Sequence, residues 1–255
     1  MPHDTLTDQL NTITANELFS MDLQPQRQVV TGLVTVGLNI LAGAPKSGKS
    51  FAVLQMAHAV AEGRAFLQHT VTPGRVVYLA LEDTLWRIRN RMRALKLTPC
   101  DDLSFAIFAP ALREGGLEQI HNYLQTHHPQ LLIIDTLARV RGARQGHDIY
   151  LEDSSLGAAL QSVALAADAA VLVVHHQSKV GHDDFLLSLS GSAGLPAAAD
   201  VVMVLERERN ATVGRLLAVG RDIEEKEIAL RWSGNGWARG QEPQDEPGGP
   251  WGYID

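Results

Sequence analysis

The segment Gly43-Ala44-Pro45-Lys46-Ser47-Gly48-Lys49-Ser50 has the spacing G-x-x-x-x-G-K-[ST], in which a glycine-rich turn lets backbone N–H groups wrap phosphate oxygens at a helix N-terminus. In such a loop Lys49 neutralises the β and γ phosphates and Ser50 ligates Mg2+, while Phe51 follows in the first helical turn. The implied ligands are ATP and Mg2+. A carboxylate that holds the Mg2+ water shell is expected at the end of a buried strand, and Leu131-Leu132-Ile133-Ile134-Asp135 has that form. Thr136 comes next, so the carboxylate that polarises an attacking water must come from elsewhere. Glu82 is the candidate, because it follows the apolar run Val76 to Leu81 and the carboxyl ends of neighbouring parallel strands converge on one crevice. Asp83 then caps the helix beginning at Thr84; the alternative exchanges the two roles, with Glu82 as cap and Asp83 as base. His175 and His176 end another apolar run. Successive strand residues face opposite ways, which argues against joint chelation of a metal and leaves His176, nearer the following loop, as a candidate γ-phosphate sensor.

These residues need a scaffold of buried strands and crossover helices. Leu38 to Ala44 is a continuous apolar run ending in a Gly/Pro turn, as expected for a strand covered on both faces, and Ser47 to Glu62 reads as the helix after it. The alternation continues with a strand at Arg75 to Leu81, a helix at Thr84 to Lys96, a short strand at Phe105 to Phe108 and a helix at Gly116 to Thr126. Strand Leu131 to Asp135, the Ala-rich helix Leu151 to Ala167 and strand Ala170 to His175 follow. Val201 to Leu205, Arg215 to Val219 and Glu227 to Trp232 lie too close together for helical crossovers and predict an antiparallel extension. The expected organisation is an arm over 1–28 with a short helix near Ala15 to Met21, one α/β domain over 29–233, and a Gly-, Pro- and acid-rich mobile tail over 234–255. There is no internal repeat.

A length of 255 residues and a hydrophobic content of 45% support one substantial core. The single cysteine, Cys100, leaves no disulfide framework and no Cys-based zinc site, which fits a reducing, cytoplasmic setting. No stretch has the length and apolarity of a signal peptide or membrane anchor. A net charge of −7 argues against non-specific coating of nucleic acid by the monomer, but a few loop cations could still form a local basic surface.

Taken together, Gly43 to Ser50, Leu79-Ala80-Leu81-Glu82-Asp83, Leu132 to Thr136 and Val173-Val174-His175-His176-Gln177-Ser178-Lys179 resemble the RepA-like branch of the RecA/DnaB ATPases, to which plasmid RepA helicases belong. The resemblance covers about residues 25–235. It implies a RecA-like P-loop core, a hexameric ring with ATP between subunits, and hydrolysis coupled to movement along single-stranded DNA. Carried onto this chain, it makes Lys49 and Ser50 the phosphate and Mg2+ ligands, Glu82 the catalytic base, Asp135 the metal-side acid and His176 the sensor. Arg221 corresponds to an arginine finger, although Val219 stands where DnaB-like members have a lysine, and Met203 where RepA has an arginine. The loops after the Asp135 and His176 strands face the ring centre in this family. Here they carry Arg139, Arg141 and Arg144, and Lys179 within a stretch to Leu189 that also holds His182, Asp183 and Asp184; Arg139, Arg141, Arg144 and Lys179 are the DNA-binding candidates. Arg87, Arg89, Arg91 and Arg93 distribute around their helix and are expected to be solvated surface.

The leading expectation is a ring-forming ATPase on single-stranded DNA in plasmid, phage or mobile-element replication or repair. A RecA-like regulatory ATPase, controlling assembly or a protein partner without unwinding, would have the same active site. A small-molecule kinase is disfavoured, since no Arg-rich lid is evident and Glu82 and His176 would be unexplained.

Overall fold

The computed structural model describes residues 12–142, 148–176 and 194–241. Arg144 and Lys179 lie outside these. The sequence alternation builds a nine-stranded sheet among the described residues, in the order β11-β10-β9-β8-β3-β7-β6-β4-β5. Its parallel part comprises β3 (Gly37–Gly43), β4 (Val76–Ala80), β5 (Leu103–Ala106), β6 (Leu131–Asp135), β7 (Ala170–Val174) and β8 (Val201–Glu206). Beyond β8, the strands β9 (Val213–Gly220), β10 (Lys226–Trp232) and β11 (Trp237–Arg239) run antiparallel. A separate small hairpin pairs β1 (Gln28–Val30) with β2 (Val34–Thr35).

Pleating divides each buried strand between two cores. Leu131 and Ile133 join the cluster under α2 (Lys49–Glu62) and α3 (Leu85–Ala94), while Leu132 and Ile134 join the one under α4 (Leu117–His127) and α6 (Ile149–Ala166). Both faces are covered, which is why these strands read as unbroken apolar runs rather than alternating ones. This is the RecA-like α/β architecture with an antiparallel C-terminal extension.

The short helix α1 (Ala15–Ser20) carries a complete capping box between Thr14 and Glu17 and buries none of its residues. The chain joins the domain at Arg27, whose guanidinium bonds Gln130 and Asp168. At the other end the sheet outlasts the predicted domain limit at 233. β11 pairs Trp232 with Trp237 across a tight turn, and the Trp237 side chain is buried.

Candidate functional site

The phosphate loop leaves the carboxyl end of β3 and turns into α2 at Gly48, whose φ of 102° is left-handed backbone that favours glycine. A Cβ there would also stand 2.9 Å from the Trp237 indole nitrogen. Lys49 is buried, and its Nζ donates to the carbonyls of Gly43 (2.7 Å) and Ala44 (2.8 Å). Burial pushes its ammonium down to about 8, against the pull of Asp135 and Glu82. The Ser47 hydroxyl is buried with no protein partner, a polar group left for a ligand in the cradle. Ala44, Pro45 and Lys46 form the exposed lip of the loop, while Ser50 and Phe51 are half-buried in the first turn of α2.

Asp135 ends β6 and is buried; burial raises its carboxyl, and hydrogen bonds from the Tyr78 and Ser50 hydroxyls oppose that. Tyr78 donates to Oδ2 at 2.6 Å from the middle of β4. Its own phenol is held well above the ordinary value by burial and then by the Asp135 charge, so it stays a donor. Ser50 and Asp135 thus bring two hard oxygen donors together at the head of α2, a set that fits Mg2+.

Glu82 arrives from the adjacent strand. β4 pairs with β6 in a register that sets Ala80 opposite Asp135, so Glu82 overhangs the same sheet end. Its Oε1 accepts from Thr136 Oγ1 at 3.0 Å and lies 3.5 Å from Arg139 Nε, both on the segment that follows Asp135. The side chain is 41% exposed and open to water. Asp83 is occupied differently: its carboxylate, 8% exposed, is ion-paired with Arg87 at 2.9 Å and with Arg91. The cap of α3 is Thr84, which accepts from Arg87 N, so Asp83 is not the cap. Arg91 is likewise not solvated surface, since it lies between Asp83 and the face of Phe51, 5.4 Å from that ring.

At the end of β7, between β3 and β6, His175 Nδ1 meets the His176 carbonyl at 2.8 Å. Burial lowers the His175 pKa, with Arg141 and Lys49 adding to the effect, so His175 is the member of the pair that senses the phosphate-loop lysine. His176 Nδ1 is buried without a protein partner. Arg141, expected on a DNA-contacting loop, is turned inward instead, with its side chain 14% exposed and ion-paired to the buried Asp153 of α6. Arg139 is 61% exposed. Arg221 lies at the opposite end of the sheet, where its backbone N–H bonds the Asp200 carbonyl and its guanidinium reaches the Ala197 carbonyl at 3.1 Å and Asp200 at 3.6 Å. From Leu38, which bonds Asp200, to Gly43 is roughly 16 Å of strand, so Arg221 cannot reach the phosphate loop of its own chain.

A group missed by pattern reading closes the third side of the loop. Arg207, just past β8, donates to the Lys46 carbonyl at 2.9 Å and lies over the rings of Trp232 (4.6 Å) and Trp237 (5.6 Å). Trp237 Nε1 donates to the Gly48 carbonyl at 3.2 Å, and Phe51 meets Trp232 edge-on. The antiparallel extension therefore walls the loop from the β8 side.

Comparison with known proteins agrees with this geometry. The DNA repair protein RadA of Mycobacterium tuberculosis (strain ATCC 25618 / H37Rv) is 27% identical over 188 residues, which are 71% of this chain and 34% of that protein; RadA of strain CDC 1551 / Oshkosh matches equally. The chain spans about a third of the length of these curated relatives. Among solved structures, the ATPase domain of a DnaB-like helicase superposes with a TM-score of 0.65 at 15% identity, over 89% of this chain and 95% of that one. A KaiC-like protein from Pyrococcus horikoshii OT3 superposes with a TM-score of 0.57 at 14% identity, over 85% and 100%. At these identities the two structures speak for the fold alone. The profile of AAA_25, described as an AAA domain, matches residues 4–182 and so takes in the phosphate loop, Glu82, Asp135 and both histidines. With more than half of the chain matched and a RecA-like sheet holding those residues around one loop, the chain belongs to the AAA_25 family of AAA domains.

Proposed function

We propose that the chain is an ATP-hydrolysing RecA-type motor of the RepA-like branch, working as a hexameric ring on single-stranded DNA in replication or repair. One observation carries the reading: Glu82 and Asp135 overhang the phosphate loop from adjacent strand ends, and Glu82 is held by Thr136 and Arg139 of the segment that follows Asp135. On binding, Lys49 exchanges the Gly43 and Ala44 carbonyls for β- and γ-phosphate oxygens, and the Ser50 hydroxyl and Asp135 hold Mg2+ between them. Mg2+ supplies charge neutralisation on the phosphate oxygens. Glu82 accepts the proton of the attacking water as its oxygen bonds to the γ-phosphorus and the bond to the β-phosphate oxygen breaks. Arg139 helps to hold Glu82 in place for that task, and DNA that engages Arg139 would change its hold on Glu82. The name of the RadA relatives, a DNA repair protein, supports the DNA assignment.

A regulatory ATPase without unwinding is favoured by a different observation: the Arg141–Asp153 pair removes one cation from the loop of a chain with net charge −7. Turnover with and without single-stranded oligonucleotide, together with particle mass in a non-hydrolysable ATP analogue, separates the two. The motor reading expects hexamers, DNA-stimulated turnover and loss of the stimulation in Arg139→Ala. ATP hydrolysis that ignores DNA supports the regulatory reading instead.

A further inference from the structure

The lower half of α2 and the segment entering β5 enclose a cluster that the nucleotide site does not use. His58 and Glu62 are one helical turn apart on the same face of α2, and Cys100 faces them from the segment before β5; one ligand atom from each lies within 4.8 Å of the others. His58 is buried, with Nε2 2.8 Å from the Thr98 carbonyl and 3.3 Å from its hydroxyl. That hydroxyl is also 3.4 Å from Glu62 Oε2, so the Thr98 oxygens border the same point in space. The Cys100 thiol donates to Glu62, and its pKa is raised by burial and then by the Glu62 charge. Arg64, 64% exposed, reaches Glu62 from outside at 3.5 Å.

We propose that His58, Glu62 and Cys100 form a second cation site, separate from the Mg2+ site, for a zinc-class divalent ion. The donor set decides the class. One nitrogen, one sulfur and one carboxylate oxygen in a tripod match a four-coordinate Zn2+ with its last position filled by water or the Thr98 carbonyl, whereas Mg2+ takes oxygen ligands and rejects a thiolate. Neutral imidazole, thiolate and carboxylate together carry the two negative charges that balance Zn2+. Binding forms the metal–sulfur bond and releases the thiol proton to solvent, and the imidazole proton resides on Nδ1 so that Nε2 can coordinate. The tripod stands about 13 Å along α2 from Lys49. Its occupancy therefore pins the far end of the phosphate-loop helix to the sheet edge without touching nucleotide. A single cysteine excludes a zinc site made of cysteines alone, and the two α2 side chains complete a mixed one in its place.

Because Cys100 is the single cysteine, a cobalt–thiolate charge-transfer band can come from no other residue. The full chain, stripped with chelator, is titrated with Co2+ and then back-titrated with Zn2+. We expect a thiolate band that saturates at one equivalent, bleaches with Zn2+, disappears in Cys100→Ser and needs at least about tenfold more Co2+ in His58→Gln and Glu62→Gln. In wild-type protein Zn2+ should also slow alkylation of Cys100, a readout that needs no variant. Absence of the band in folded wild-type protein, or equal affinity in His58→Gln and Glu62→Gln, overturns the site. None of these readouts involves nucleotide, so the outcome is independent of the proposed ATPase.

Discussion

Lys49 sits among groups that pull its proton in opposite directions, with burial winning over the nearby carboxylates and leaving its ammonium at about 8. Because that lies below the ordinary value of 10.5, the unfolded chain binds more protons in the interval between them, and the fold gains stability as pH rises through it. Nucleotide reverses the preference, since a triphosphate needs the charged form. ATP affinity should therefore be flat below pH about 8 and weaken by up to about tenfold per pH unit above it. Isothermal titration in buffers of different ionisation enthalpy checks this through proton uptake on the alkaline side; an affinity that stays flat to pH about 9.5 would remove Lys49 from the phosphate contact. Residues such as Lys49, Ser50, Glu82 and Asp135 were legible in the sequence because each is defined by a local pattern, a turn or a strand end. Tyr78 beneath Asp135, Thr136 on Glu82 and Asp153 under Arg141 were not, because each is a partner chosen by strand pairing or helix docking across the fold.

Among the elements, the parallel core was readable from its doubly buried apolar runs, and the antiparallel extension from spacings too short for helices. The strand Trp237–Arg239 was hidden by its surroundings, since Gly, Pro and acids on either side give the composition of a tail. What makes it part of the domain is contact far away in sequence: Trp237 bonds Gly48 and Gln55 at the phosphate-loop helix and packs beside Trp232. Trp237→Ala should cost about 3–5 kcal/mol in urea denaturation, the range for emptying a buried aromatic site, and loosen the phosphate loop with it. A loss below about 0.5 kcal/mol would make β11 an ornament on the sheet edge.

For the whole molecule, the position of Arg221 has the widest consequence. Set at the amino end of the parallel strands beside Asp200, it is turned away from its own nucleotide crevice, so any action on a terminal phosphate must be on a neighbour's. Ring assembly and finger function then stand or fall together. Mixed assemblies of Arg221→Ala and Glu82→Gln subunits should recover part of the turnover that each lacks alone, because some interfaces then join an intact finger to an intact base. Inactive mixtures that still assemble would confine Arg221 to its contacts with Asp200 and Ala197.

The convergence of Glu82 and Asp135 on one loop is tested most directly by Glu82→Gln, followed by equilibrium ATP binding and single-turnover hydrolysis on the same preparation. The amide keeps the shape and the bond from Thr136 but cannot take the proton of water. ATP should bind with affinity within about twofold of wild type while hydrolysis falls by about 100-fold or more, the size of a general-base contribution. Hydrolysis at the wild-type rate would contradict the account, and the base would have to be sought away from the end of β4.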